Sequence, residues 1–360
     1  MPSFIQQYIE QIGAKSERFR GCFAGQPQNL VEQSVRDGLV ARWQPLPDGP
    51  ESKPRRTFAV DGASGSRPLS NGASFLVAQS LVVGPETEES MVVVEVVRGG
   101  DTRNAERLVD HMRQYCEAAV ATRCLDRMAG GMLLVDGSLL ADMSHILALG
   151  PMRLADGTDL RGLLVNVFFD LVEGCCARDI LLVGIAKTAR DTLLHPGLAE
   201  DPGPTARLCD AEILMRFGGG APGFTPPMLF GSAAVQVAWD KSAPGLRQRA
   251  EALPCIAVMY ARLAGGEDAV RVDVVGSAIG RAETLFGLTR AWGCAEEAAP
   301  IVRRLMAQHG GPNVYNAPLY GVDRMVRLSG KTMDGAYMAM LREATGAKAE
   351  TDRGARRFTG

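Results

Sequence analysis

The sequence predicts an α/β protein built on one mixed sheet, an antiparallel meander followed by parallel strands, with helices packed against it. Three observations carry this. Residues 57–60, 74–83 and 91–97 are β-type apolar runs, joined by links that hold Gly62, Gly65, Pro68, Asn71-Gly72 and Gly84-Pro85. Short links of turn residues suit antiparallel neighbours. From residue 104 onward, long helical spacings alternate with short apolar runs, the pattern of strands separated by helices. Finally, 360 residues at 46% hydrophobic and 22% charged supply enough apolar material for one large domain or two ordinary ones.

Taken in order, residues 1–42 read as helical, with Ile5, Ile9 and Ile12, then Leu30, Val31, Val35 and Leu39, at helical spacings. A Pro- and Arg-rich connector covers 43–56. After the three meander strands, a long helix is expected at 104–128, then a strand at 132–135, a helix at 160–172, a strand at 180–185 and a helix at 188–194. The segment 217–231 is a glycine- and proline-rich loop, long for a compact domain and therefore a functional or mobile element. Strands follow at 255–263 and 270–275, and helices at 283–288, 298–308, 320–328 and 334–344. The organisation expected is an N-terminal helical segment (1–50), a main domain (51–345) and a flexible basic tail (346–360) with Lys348, Arg353, Arg356 and Arg357.

Composition removes some functions. A net charge of −2 argues against non-specific coating of nucleic acid, while leaving a local basic groove open. The four histidines (His111, His145, His195, His309) lack metal-ligand spacing, which argues against a zinc site. Eight cysteines without C-x-x-C pairs read as reduced thiols of a cytoplasmic protein. The N-terminus has no basic stretch followed by an apolar core, and no uncharged apolar run reaches the roughly 18 residues of a membrane span.

Two stretches carry chemistry: Phe58-Ala-Val-Asp61-Gly-Ala-Ser-Gly-Ser and Met132-Leu-Leu-Val-Asp136-Gly-Ser-Leu. Each is a β-type run that delivers an aspartate to a strand end, with glycine next. The plain alternative is a turn, for which Asp-Gly is ordinary chemistry. Yet two carboxylates on adjacent central strands repel by roughly 4 kcal/mol at about 4 Å in an effective dielectric of about 20. A divalent ion reverses that sign. Glu117 heads an apolar stripe on the long helix (Val120, Ala121, Cys124, Leu125, Met128) and so aims along a packed face; otherwise it pairs with Arg113 or Arg123. Glu95 interrupts a valine-rich strand, either on its wet side or as the competing ligand. Lys187 follows the 180–185 strand, placed to hold a scissile phosphate or stabilise developing negative charge, or simply solvated. Arg190 is a candidate DNA contact. Asp323 stands in a helix first turn, where an acid is favourable anyway. Tyr315 and Tyr320 sit in a Pro-containing loop, where aromatics stack bases or pack. Asp61, Glu117, Asp136 and Asp323 together suit two divalent metals, and oxygen-only ligands select Mn²⁺ or Mg²⁺.

The order meander, helix, strand is that of ribonuclease-H-like nuclease folds. Four segments make the likeness specific: the Asp61 stretch with Asn71-Gly72, the Asp136 stretch, Val183-Gly-Ile-Ala-Lys187-Thr, and Val314-Tyr-Asn-Ala-Pro-Leu-Tyr-Gly-Val-Asp-Arg. With them the chain resembles the NurA family of DNA-end-processing nucleases. The resemblance implies a ribonuclease-H-like fold and Mn²⁺-dependent cleavage of single strands, exo- and endonucleolytic, in 5′–3′ resection at double-strand breaks. It also implies a homodimer and a hexameric HerA-type ATPase as partner. The family's first aspartate falls on Asp61, its helix glutamate on Glu117, its second aspartate on Asp136 and its lysine on Lys187. Asp323 stands where the family often has a histidine. Two rivals remain at this stage. An actin-like phosphotransferase also uses Asp-Gly loops, there to cradle ATP. A non-catalytic DNA clamp or adaptor for a motor protein shares the fold without the metal chemistry.

Overall fold

The computed structural model describes residues 4–23, 30–49, 54–98, 104–148, 152–187, 190–199, 208–231, 244–285 and 290–346. In chain order the helices are α1 (Phe4–Ala14), α2 (Ser16–Phe23), α3 (Leu30–Arg42), α4 (Ala105–Arg123), α5 (Leu125–Met128), α6 (Leu139–Ala148), α7 (Leu160–Ala177), α8 (His195–Leu198), α9 (Asp210–Phe217), α10 (Pro244–Ala252), α11 (Ala295–Gln308), α12 (Ala317–Val326) and α13 (Met338–Thr345). The strands are β1 (Thr57–Pro68), β2 (Ser74–Gly84), β3 (Thr87–Val97), β4 (Met132–Asp136), β5 (Leu181–Ala186), β6 (Gly223–Phe224), β7 (Met228–Phe230), β8 (Ile256–Arg262), β9 (Val270–Val275) and β10 (Arg290–Trp292).

Two compact units result. The larger comprises Pro47–Ala186, Pro227–Met259 and Val272–Gly360; the smaller comprises Met1–Leu46, Lys187–Pro226 and Tyr260–Arg271. The strands run in the order β10-β7-β8-β9-β5-β4-β1-β2-β3. The meander β1-β2-β3 is antiparallel, and β1, β4 and β5 are parallel neighbours. This is the mixed sheet the sequence predicts.

One boundary differs in a way that matters. β1 does not end at Val60 but continues to Pro68. β4 accompanies it only over Thr57–Val60, whereas β2 pairs with it from Ala59 through Pro68. Asp61 therefore stands inside a long strand, one residue beyond its last parallel pair with β4 and level in register with Asp136, the last residue of that strand. Gly62 and Gly65 are not turn residues. A Cβ at Gly65 would lie 3.1 Å from Leu328 Cδ2 and 3.4 Å from Met333 Sδ, so this glycine lets side chains of the covering layer approach the strand.

The sheet of the larger unit is covered on both faces. On one side Leu76, Ala78 and Val97 pack with Leu108, Val109, Met112 and Cys116 of α4. On the other, Phe75 and Val77 pack with Met333, in a π-helical turn at Thr332–Tyr337, and with Met338. α7 packs on α4, and α12 crosses β1, β2 and β4. Gln79 of β2 donates to the Val326 carbonyl at 2.7 Å and accepts from the Tyr337 hydroxyl at 2.6 Å, tying the end of α12 to the sheet.

Within the smaller unit, buried Arg216 pairs with Glu32 at 2.7 Å and Glu212 at 3.0 Å, joining α3 to α9. Buried Arg262 donates to the carbonyls of Leu214, Gly218, Ala221 and Glu267 and lies 5.4 Å over the Trp43 ring. The glycine-rich segment after α9 is thus held by one guanidinium. Phe4, Ile5, Tyr8, Ile9 and Ile12 of α1 are exposed.

Other expectations are corrected. The 217–231 segment is not a continuous loop, since β6 and β7 form inside it. Strands of two and three residues are too short to show alternation. Residues 190–194 are not helical; the described helix there is α8. Residues 283–285 are not helical, and Thr284 bridges Pro254. The long helix breaks at Cys124 into α4 and α5. α6 has no counterpart among the expected elements. The basic tail beyond 346 lies outside the described residues.

Candidate functional site

Asp136 is the last residue of β4 and pairs in register with Ile185 of β5. Gly137 follows at φ 145° and donates its N–H to the Ile185 carbonyl at 3.0 Å. That backbone conformation favours glycine, which explains the Asp-Gly pair here. Ser138 then caps α6, its hydroxyl accepting the Ala141 N–H at 3.0 Å. The same hydroxyl donates to Asp273 Oδ2 at 2.7 Å, and Leu140 N–H donates to that oxygen at 3.0 Å. Asp273 is fully buried on β9. It fixes the turn that follows Asp136.

Asp61 lies beside this turn, one strand over. It is buried, and Oδ1 accepts the Gly62 N–H at 2.7 Å. Burial pushes its pKa up to about 6, against the Gly62 hydrogen bond; Asp136 and Asp323 push it further up, and Arg113 opposes them. These three aspartates therefore share one electrostatic neighbourhood.

α4 supplies the fourth acid. Glu117 has a side chain only 12% exposed and forms an ion pair with Arg113 one turn earlier. Burial raises its pKa to about 7; Arg113 opposes this, while Asp61 and Asp142 add to it. Gly62 makes the approach possible, because a Cβ there would sit 2.5 Å from Glu117 Oε1 and 2.8 Å from Arg113 Cγ. Any side chain at position 62 would displace one of them.

Asp142 is an acid that sequence reasoning missed. It accepts from Gln114 Nε2 at 3.3 Å, and a cavity of about 30 Å³ is lined by Glu117, Gln114, Asp142 and apolar residues including Val60 and Leu164. That volume suits about one water. In the sequence Asp142 looks like an acid in a helix first turn, favoured there without any function.

The fourth motif arrives on α12. Asn316 caps this helix, accepting the Leu319 N–H at 3.1 Å, with Pro318 in the first turn. Tyr315 comes just before the cap. Burial raises the pKa of its hydroxyl, and the charges of Asp136, Asp61 and Asp323 push it the same way. Asp323 is half-buried and lies 3.5 Å from Arg327. Tyr320 is exposed, with Arg324 over its ring at 5.7 Å.

Glu95 is not part of this group. It pairs across β3–β2 with Leu76, which pairs with Ser66, whereas Asp61 pairs with Leu81. Five residues of strand separate the two levels, roughly 16 Å. Glu95 instead accepts the Val96 N–H at 2.7 Å. Lys187 is the first residue after β5 and exposed, as is Arg190; both belong to the smaller unit.

The donor set is chemically that of a hard divalent cation: carboxylates, a phenol and no thiol or imidazole. As the side chains stand, no three acidic, histidine or cysteine groups among the described residues are arranged to hold one ion. The Glu117 carboxylate is turned onto Arg113 instead.

The family model described as NurA domain matches residues 55–328. No curated protein matches the chain by sequence. Among solved structures, the NurA nuclease from Sulfolobus solfataricus superposes with a TM-score of 0.61 at 16% identity, covering 97% of this chain and 99% of that one. NurA bound to dAMP and manganese superposes at 0.58 and 13% identity, covering 95% and 98%. NurA with manganese gives 0.55 and 12%, covering 94% and 98%. At these identities the superpositions speak for the fold.

Proposed function

The chain belongs to the NurA domain family, and from that premise we propose that it is a Mn²⁺-dependent deoxyribonuclease that hydrolyses phosphodiester bonds of single-stranded DNA. The observation that supports the reading is the electrostatic neighbourhood of buried Asp61, on which Asp136 and Asp323 act and which itself acts on Glu117, in a chain whose fold matches that of NurA bound to dAMP and manganese. These four residues would hold the metal, as one or two ions per site, with Mg²⁺ the alternative. A divalent ion bound there supplies Lewis acidity to the scissile phosphate and lowers the pKa of a bound water.

The chain's own groups do the rest. Asp61 and Glu117, raised by burial, must give up their protons before they can hold a cation, so the site works from its ionised form. The Tyr315 hydroxyl stays protonated beside Asp136 and donates to an anionic oxygen. Lys187 supplies positive charge for the phosphate, and Arg190 and Tyr315 contact the strand. Asp323 replaces an imidazole ligand with a carboxylate, a change that oxygen-seeking Mn²⁺ tolerates.

At the level of the whole protein, the proposal includes a homodimer that encloses the strand and a hexameric HerA-type ATPase that feeds it, for 5′–3′ resection at double-strand breaks. The strand β1 running through 61–66 leaves no phosphate-cradling loop there, which disfavours the actin-like reading.

The test is cleavage of end-labelled single strands with Mn²⁺, Mg²⁺ or EDTA. Mn²⁺-dependent products are expected, with Asp61→Asn and Asp136→Asn reducing the rate about a thousandfold, since several kcal/mol of transition-state stabilisation is lost. Binding of single strands without cleavage under any metal would instead identify a non-catalytic clamp.

A further inference from the structure

We propose that Arg113 competes with the divalent ion for Glu117, so that its guanidinium sets how tightly the site takes metal. This rests on the reading of Asp61, Glu117 and Asp136 as ligands. Three observations carry it. Arg113 and Glu117 are four residues apart on α4 and form an ion pair; side chains at this spacing lie over one another on a helix face. The pair therefore needs no backbone adjustment.

The pair is also packed against the site. Glu117 Oε1, the oxygen that Arg113 binds, lies 2.5 Å from the Cβ position of Gly62, and Arg113 Cγ lies 2.8 Å from the same point. Gly62 is the residue next to Asp61. The stem of Arg113 and the carboxylate of Glu117 thus share one notch on β1.

The charges point the same way. Arg113 acts on Asp61 and on Glu117, and Asp110 and Asp142 act on Arg113. One guanidinium serves the carboxylates that a divalent ion needs. A guanidinium has five donors and no acceptor and does not deprotonate. It cannot enter the ion's coordination shell, and it repels the ion. A metal bound to Glu117 Oε1 therefore requires Arg113 to leave that oxygen. With 28% of its side chain exposed, Arg113 has solvent to move into.

The experiment is calorimetric titration of Mn²⁺ into the full-length chain, with the Mn²⁺-induced change in Tm measured alongside. Wild type, Arg113→Met, Arg113→Gln and Asp61→Asn are compared. Removing the competitor should tighten Mn²⁺ binding about tenfold or more in Arg113→Met, because a buried carboxylate left without its partner gains more from a cation. Its Mn²⁺-induced Tm rise should exceed that of wild type. Arg113→Gln keeps a hydrogen bond to Glu117 without the charge, and decides the matter if the methionine variant does not fold. Unchanged or weaker Mn²⁺ affinity in the Arg113 variants, with binding lost in Asp61→Asn, overturns the role of Arg113 and leaves the metal site standing. Absence of Mn²⁺ binding in wild type, or binding that Asp61→Asn does not weaken, overturns both.

Discussion

A carboxylate that must hold a cation and also live in a protein interior answers to two opposing demands. Asp61 at about 6 and Glu117 at about 7 record the outcome. Their pKa values are raised above those of the unfolded chain. The native state therefore binds more protons than the unfolded state between about pH 4 and pH 7, and stability falls as pH rises through that window. In EDTA, the protein should melt at a lower temperature at pH 8 than at pH 5.5. Saturating Mn²⁺ should narrow the gap, because the ion favours the ionised carboxylates. Melting curves at the two pH values, with and without metal, check this; Asp61→Asn should flatten the EDTA profile. A second expectation separates the two glutamates. Glu117→Gln should reduce Mn²⁺-dependent cleavage about a thousandfold, while Glu95→Gln, far along the sheet, should leave the rate unchanged. The strand-end position of Asp136 was legible in the sequence; the same pattern singled out Asp61, although β1 runs on past it to Pro68, and the apolar stripe of α4 singled out Glu117. The Arg113–Glu117 pair was the plain alternative that helix spacing offered for Glu117; its place against Gly62, and Asp142, were not legible. Nothing in a linear chain says that a surface-type arginine will lie against a glycine of another strand.

At the scale of elements, the candidate site is a meeting of β1, β4, α4 and α12. The contact between β1 and α4 depends on Gly62. Gly62→Ala should cost about 1–3 kcal/mol from crowding and should also weaken Mn²⁺ binding, because the new methyl occupies space held by Glu117 Oε1. Denaturant titration and calorimetry separate these effects. The turn after Asp136 depends on Asp273 in a comparable way. Asp273→Ala would strand the Ser138 hydroxyl and the Leu140 N–H, for about 1–3 kcal/mol, readable as a lower urea midpoint with an unchanged m-value. Most strands and long helices were visible beforehand because their periodicity spans many residues. The end of β1 was not. Gly-Ala-Ser-Gly-Ser has the composition of a turn, and only pairing with β2 makes it a strand. α8 and the two- and three-residue strands were hidden for the same reason: tertiary contact decides them, not local preference.

For the whole molecule, net charge sets the main constraint. A chain at −2 holds DNA only where its cations are gathered, and each phosphate contact is weakened by salt. Two copies enclosing a strand would concentrate Lys187, Arg190 and similar residues. Light scattering at micromolar concentration should therefore report a dimer, and a fully active monomer would contradict it. The exposed apolar residues of α1 offer a surface for such contacts or for an ATPase partner. The sequence separated a helical beginning from a main domain, but the two units share the chain in alternating segments. The chain passes between the two units at 46/47, 186/187, 226/227, 259/260 and 271/272, the last two inside strands β8 and β9, so that a single linker is not what divides them.

The length of β1 gives the site a division of labour in time. Asp61 belongs to a ladder that continues through Pro68 along β2, so its backbone opens only when much of the sheet opens. Asp136 stands at a strand end, and Glu117 reaches in by a long side chain. Amide hydrogen exchange should therefore find residues 59–66 among the slowest in the protein and Gly137–Ser138 much faster, whether or not metal is added. On the proposed reading, the first carboxylate would be a fixed post, in place before any cation arrives.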